Sequence, residues 1–400
     1  MPNAVDVLKE RGFVYDVSDE AGLRAALEQP ITLYDGFDPS GASLTAGHLL
    51  GIMMLAWFQR LGHRPIAIMG GGTAMIGDPS GKTSIRRVLS LDEIERNLAA
   101  MQRQMAHFLD FDGGKALMIN NATWLTSLNY IDFLRDIGRH FSVNHMLGAE
   151  VYKSRLESGL TFLEMNYQVL QAYDFLHLYR TYGCLLQVGG SDQWSNILAG
   201  VDLIRRVEGK TAYALVTPLL TTASGQKMGK TEAGAIWLDP HLTRPYDFYQ
   251  YFINTEDPDV EKYLALLTFL PMDQVRELAR LDGAEIRQAK EVLAFEVTSI
   301  VHGEDEARKA RDAARALFSG SGASDEAAPA FEIEGARLRE GVAVHELFAD
   351  AFGKSRRESR QTIEQGGCYL DGEPVQLGGS VDREGLLRWG KKDYRRLVAR

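Results

Sequence analysis

The chain has 400 residues, 45% of them hydrophobic and 24% charged, a balance that excludes a disordered or fibrous protein and leaves room for two or three domains. Its net charge of -10 excludes a chain that coats nucleic acid over its whole surface. Two cysteines, Cys184 and Cys368, exclude a disulfide framework and a cysteine-based zinc site, and they fit a reducing compartment.

The N-terminal MPNAVDVLKERG carries charge where a secretion signal needs an apolar core. ITLYDGF then alternates as a short strand does, DPSG is turn chemistry, and HLLGIMMLAWF reads as a buried helix. The apolar run Leu49 to Phe58 is too short to span a bilayer, so a cytoplasmic protein with no membrane association is expected. Tyr34, Asp35 and Asp38 fall beyond the strand's carboxyl end, where open α/β sheets bind ligands. Gly47 and His48 open the helix, where unpaired N–H groups favour an anion; an ordinary turn with a partly buried histidine is the alternative.

RPIAIMG, KALMINN, CLLQVGG and YALVTPLLT continue the alternation of strands with helical stretches, which predicts a doubly wound, Rossmann-like parallel sheet. Two glycine-rich tracts fail the established nucleotide motifs. GDPSGKT has Ile76 where a P-loop needs its first glycine, and GGGTAMIG has Met75 at the third glycine of the dinucleotide fingerprint. The same region carries Asp78 together with Lys82, Arg86 and Arg87, three cations suited either to a polyphosphate or to a solvated loop. In TFLEMNYQVLQAYDFLHLY, Tyr167, Gln171 and Asp174 recur at helical spacing along one face. QVGGSDQW sets Gly190, Asp192 and Gln193 at a further strand end, and TTASGQKMGKTEAGA flanks Lys227 and Lys230 with glycines.

From Pro245 to about Leu317 the pattern is helical, SGSGASDEAAPA has linker composition, and a small α+β module follows with an Asp-Gly hairpin in CYLDGEPV. The expected division is therefore a Rossmann-like domain at 1–235, which would carry the site residues, a helical domain at 236–318, a linker at 319–330 and a terminal module at 331–400. From Gly341 onward Lys and Arg exceed Asp and Glu by 2, which leaves the rest of the chain at -12. Lys354, Arg356, Arg357 and Arg360 cluster at a helix start there, cations suited to RNA phosphates, with a solvated helix face as the alternative.

As an ordered set these pieces resemble one family. TAGH at Thr45 to His48 resembles the HIGH motif of class I aminoacyl-tRNA synthetases, and KMGKT at Lys227 to Thr231 their KMSKS motif. YDGFDPS, GDPSGK, YQVLQAYDFL and QVGGSDQW narrow the resemblance to bacterial tyrosyl-tRNA synthetases, and the terminal module resembles an S4-type RNA-binding domain. The resemblance implies that Tyr34 and Asp174 take the hydroxyl of L-tyrosine, while Asp78, Tyr167 and Gln171 hold its ammonium. It implies that His48, helped by Ser40 and Thr45, holds ATP phosphates, with Asp38, Gly47, Gly190, Asp192 and Gln193 completing the nucleotide site. Lys82, Arg86, Lys227 and Lys230 would close on pyrophosphate with Mg2+, and the partners would be tRNA(Tyr) and a second copy in a homodimer. No metal ligand from the protein is expected.

The chain departs from that pattern at Thr45, which stands for the first histidine of HIGH, and at Gly229, which stands for the serine of KMSKS. Asp35 occupies a place where many relatives are uncharged. A tryptophanyl-tRNA synthetase, and a synthetase-derived RNA-binding protein without catalysis, are the competing readings; Tyr34 with Asp174, the terminal module and the four cations weigh against them.

Overall fold

The computed structural model describes residues 2–78, 89–148, 152–153, 156, 159–225, 227–231, 234–319, 328, 330–390 and 393–400, with backbone only for 230–231 and 317–319. Lys82, Arg86, Arg87 and most of the 319–330 segment lie outside these residues. No helix among the described residues is long and apolar enough to cross a membrane. The chain forms two compact units, one of Met1–Gly229, Ile236–Thr243 and Thr255–Leu293, the other of Lys230–Ala235, Arg244–Asn254 and Ala294–Arg400.

The first unit is built on a six-stranded sheet. Its strands are β1 (Asp16–Val17), β2 (Thr32–Phe37), β3 (Arg64–Met69), β4 (Leu117–Asn120), β5 (Cys184–Gly190) and β6 (Tyr213–Thr217). The order is β1-β6-β5-β2-β3-β4. All neighbours from β6 to β4 pair in parallel, as the alternation of strand and helix predicts. The two-residue β1 adds an antiparallel edge, Asp16 opposite Val216, that is too short to leave a periodic signal in the sequence. From β2 the chain winds outward through β3 to β4, then returns to β5 on the other side of β2. That reversal opens a crevice at the carboxyl ends of β2 and β5, the standard ligand position of such sheets.

Helices cover the sheet because their sequences are apolar enough to be buried. Leu49–Arg60 keeps Leu49, Leu50, Ile52, Met53, Met54, Leu55, Ala56 and Phe58 out of solvent. Phe162–Tyr182 starts on a capping box, in which Thr161 Oγ1 accepts from the Glu164 amide at 3.2 Å and Glu164 Oε2 accepts from the Thr161 amide at 3.0 Å. It buries Val169, Ala172, Phe175 and Leu176, while Tyr167, Gln171 and Asp174 form a row along another side. In the same unit the buried Arg11 guanidinium donates to the carbonyls of Ala265 at 2.7 Å, Thr268 at 3.2 Å and Leu270, and lies 3.8 Å over the Trp57 ring.

In the second unit a five-stranded sheet runs Glu373–Pro374, Cys368–Leu370, Gly385–Trp389, Asp393–Ala399, Ala330–Ile333. The hairpin read from Asp-Gly is present, with Leu370 opposite Glu373 across Asp371 and Gly372. Helices Val344–Phe352 and Arg356–Glu364 contribute Leu347, Phe348 and Ile363 to a core shared with Cys368, Leu387 and Leu397.

Replacing Arg11 with Met keeps an apolar stem but strands three buried carbonyls. A loss on the order of 2–4 kcal/mol is expected, measured as a lowered urea midpoint at unchanged slope. An unchanged midpoint would show that water satisfies those carbonyls equally well.

Candidate active site

The crevice at the switch between β2 and β5 holds a cavity of about 370 Å³. Tyr34, Asp38, Ser40, Gly47, His48, Asp78, Tyr167, Gln171, Asp174, Gly190, Asp192, Gln193 and Lys227 all line it, so most residues singled out in the sequence come together in one place. Thr45 is not among the lining residues. Lys230 belongs to the short strand Lys230–Thr231, and its side chain, like Lys82 and Arg86, lies outside the described residues.

One end of the cavity is a buried polar pocket. The Tyr34 hydroxyl is buried without a hydrogen-bond partner among the described residues, and its ring meets Phe175 edge-on at 5.3 Å. Asp174 lies at the same end, 3% exposed, with Oδ1 accepting from Trp124 Nε1 at 2.7 Å and Oδ2 from Asn121 Nδ2 at 2.9 Å. Burial pushes the Asp174 carboxyl up to about 7 against the lowering effect of those two donors, and the nearby Asp38 carboxylate adds to the rise. Burial also holds the Tyr34 hydroxyl in its protonated form, reinforced by the Asp174 charge.

A hydrogen-bonded chain leads away from this pocket. Asn121 Nδ2 also donates to Thr73 Oγ1 at 3.1 Å, Thr73 Oγ1 donates to Asp38 Oδ1 at 2.7 Å, and the Tyr167 hydroxyl donates to Asp38 Oδ2 at 2.9 Å. Asp38, which the resemblance assigns to ATP, thus shares a contact with Tyr167. Gln193 Nε2 donates to Asp78 Oδ2 at 2.8 Å, which binds a residue expected at the nucleotide to one expected at the ammonium. The Gln171 side-chain oxygen is buried and unpartnered among the described residues.

At the other end stands the helix opening. His48 Nδ1 accepts from the Thr45 amide at 3.0 Å and contacts Thr45 Oγ1 at 3.0 Å. An acceptor at Nδ1 puts the ring hydrogen of the neutral form on Nε2. Burial lowers the His48 pKa, and the Thr45 N–H donated to Nδ1 favours the unprotonated ring, so the neutral form presents its Nε2–H. Thr45 therefore orients the histidine; its own hydroxyl is turned to that ring.

Asp35 also lines the cavity. Burial raises its carboxyl to about 7, the Gly36 amide lowers it, and the Asp192 charge adds to the rise. Burial, with the Asp78 charge second, likewise raises Asp192. Gly51 leaves room for Asp35, since a Cβ there would stand 2.6 Å from Asp35 Oδ2.

The Lys227–Gly229 segment closes over the helix opening. Met228 N donates to Leu220 O at 2.9 Å, and Ile236 N to Gly229 O at 2.9 Å. Ala46 N donates to Ile236 O at 2.8 Å. Gly229 has φ 77°, and a Cβ on it would lie 2.8 Å from the Gly47 nitrogen. The glycine that replaces serine in the motif is thus the residue this packing requires.

Asn121, Trp124 and Thr73 are the site residues that sequence reasoning missed. For Asn121 and Trp124 a signal existed: NATW follows β4 directly, at a strand's carboxyl end like those that carry the other site residues.

In the second unit, Arg356, Arg357 and Arg360 are exposed and Lys354 is partly so. Ser355 caps their helix, its Oγ accepting from Glu358 N at 3.2 Å. Arg356 pairs with Glu346 at 2.9 Å and Arg360 meets His345 at 3.1 Å.

Comparison with known proteins agrees with this geometry. The family described as tRNA synthetases class I (W and Y) matches residues 26–319. A tyrosine-tRNA ligase of Caldanaerobacter subterraneus subsp. tengcongensis is 54% identical over 100% of both chains, and one of Clostridium botulinum 52% over the same extent. The C-terminally truncated mitochondrial tyrosyl-tRNA synthetase of Aspergillus nidulans is 31% identical with a TM-score of 0.72, covering 80% of this chain and 95% of that one. The tyrosyl-tRNA synthetase of Archaeoglobus fulgidus, at 19% identity and a TM-score of 0.58, shares the fold over 77% of this chain and 99% of its own. This chain belongs to the class I tRNA synthetases of the W and Y group, and within that group to the bacterial tyrosyl-tRNA synthetases.

Proposed function

We infer that the protein is a tyrosine-tRNA ligase that forms tyrosyl-adenylate from L-tyrosine and ATP and passes the tyrosyl group to tRNA(Tyr). The observation that carries the choice of amino acid is the polar pocket: a buried Tyr34 hydroxyl, unpartnered among the described residues, beside an Asp174 carboxylate already oriented by Asn121 and Trp124. A phenol O–H supplies the missing donor and acceptor together. Phenylalanine leaves both groups buried and unsatisfied, and tyrosyl-tRNA synthetases are themselves the established example of discrimination by this means. An indole N–H can donate but cannot accept, so it leaves the Tyr34 hydroxyl unsatisfied, which disfavours the tryptophan reading.

The substrate ammonium is held by Asp78, Tyr167 and Gln171, with the carboxylates of Asp38 and Asp78 supplying charge. A tyrosine carboxylate oxygen then attacks the α-phosphorus of ATP, and the bond to pyrophosphate breaks. No protein nucleophile takes part, so catalysis rests on alignment and on charge placed where the transition state develops it. His48 Nε2–H donates to phosphate oxygen, Gly47 and Ser40 flank it, and Asp192, Gly190 and Gln193 face the nucleotide. Lys227 and Lys230, with Lys82 and Arg86, neutralise the departing pyrophosphate. Mg2+ would arrive on the triphosphate itself, where it withdraws charge from the leaving group.

The terminal module at 331–400 serves as an S4-like RNA-binding domain, with Lys354, Arg356, Arg357 and Arg360 against phosphates. A homodimer fits the exposed apolar side chains of Tyr130, Ile131, Val143 and Phe162, which a second copy would cover. A cytoplasmic location follows from tRNA as partner.

Asp174→Ala removes a charged acceptor and should lower kcat/KM for tyrosine in pyrophosphate exchange roughly 100-fold, with the ATP KM little changed. A variant that activates tyrosine normally contradicts the hydroxyl assignment. Arg356→Ala with Arg357→Ala should leave exchange intact but weaken tRNA charging, and should reduce the salt slope of tRNA binding by about 2. An unchanged slope removes these two residues from the RNA contact.

A further inference from the structure

The Trp124 indole that donates to Asp174 is itself covered. His177 lies one helical turn beyond Asp174 on Phe162–Tyr182, and its ring stacks on the indole with centroids 4.3 Å apart and planes 16° apart. Trp124 is 7% exposed and sits in the short helix Ala122–Leu125 after β4. The indole therefore has its N–H fixed on Asp174 Oδ1 and one face closed by the imidazole, while Asn121 fixes the other carboxylate oxygen.

We propose that His177 is a positioning residue of the tyrosine pocket: its ring holds the Trp124 indole in line with Asp174 and keeps water from that hydrogen bond, which sets how tightly the pocket grips a phenolic hydroxyl. This rests on the reading of Asp174 as partner of that hydroxyl. Aromatic stacking of this kind favours one indole rotamer beyond what burial alone does.

The charge environment lets the ring act as a neutral plane. Burial lowers the His177 pKa and Arg180 lowers it further, while Arg180 is itself paired with Glu208 at 2.7 Å. Asp174 is faced by the donors Asn121 and Trp124, the Tyr34 hydroxyl and the Asp38 carboxylate. Because burial is what raises its carboxyl to about 7, tyrosine capture by the ionised form weakens as pH falls through that region. Uncovering the indole admits water, which lowers the carboxyl, and loosens the Trp124 donor, which raises it, so the two effects on its titration oppose each other.

The test measures kcat and KM for tyrosine in pyrophosphate exchange across pH, with phenylalanine as competitor, for His177→Ala, His177→Leu and His177→Phe on the full chain. The Ala and Leu variants should raise the tyrosine KM roughly threefold to tenfold and narrow the tyrosine-over-phenylalanine ratio. Their kcat at saturating tyrosine and their KM for ATP should not move. His177→Phe, which keeps the ring, should behave as the natural protein does. If folded Ala or Leu variants keep the natural KM and discrimination, or if Phe fails as they do, the proposal is overturned. Asp174→Ala run alongside separates the two readings: normal activation there removes the premise, whereas loss there with silent His177 variants removes only the role of His177.

Discussion

A buried polar chain, Tyr167 to Asp38 to Thr73 to Asn121 to Asp174 to Trp124, fixes the geometry on which the rest of the site depends. Its members come from the β2 end, the loop after β3, the turn after β4 and the helix Phe162–Tyr182, four segments far apart in sequence. None could hold its rotamer alone in a low-dielectric crevice, since each buried donor or acceptor left unmade costs about 1–3 kcal/mol. Beside the chain, Tyr34 Oη and Gln171 Oε1 stay buried without a partner among the described residues, and both residues line the cavity. Polar satisfaction of the protein thus defines the shape and polarity of what can enter.

The cavity is also crowded with acids. Asp35, Asp38, Asp78, Asp174 and Asp192 all line it, and burial or a neighbouring carboxylate pushes Asp35, Asp174 and Asp192 upward. Such an arrangement is unfavourable empty and favourable with an ammonium and hydroxyl donors inside. Opposite charge arrives with the substrate and on the glycine-flanked segment that carries Lys227. Gly229 packed on Gly47 shows how closely that segment can approach the helix opening.

Much of this was legible in the sequence, because the signals were local. Strand alternation, the turn in DPSG and the helical spacing of Tyr167, Gln171 and Asp174 each reflect periodicity that tertiary packing kept. What stayed hidden depends on contacts across the sheet. β1 is two residues long and gains its identity only from β6. Trp124 and His177 carry no motif or spacing signal, and only the fold brings their rings together beside Asp174. Thr45 illustrates a motif position whose apparent role changes in place: its amide and hydroxyl both meet the histidine ring. Asp38 likewise shares its carboxylate between Thr73 and Tyr167, a partition that spacing along the chain does not encode.

The proposed function joins two properties: a pocket that demands a hydroxyl, and activation that needs no tRNA. The most direct measurement is exchange of labelled pyrophosphate into ATP by the full chain without tRNA, with tyrosine, phenylalanine and tryptophan supplied separately. Exchange with tyrosine, and none with the other two at equal concentration, is the predicted result. Comparable exchange with phenylalanine, or no exchange with tyrosine from folded protein, would contradict it.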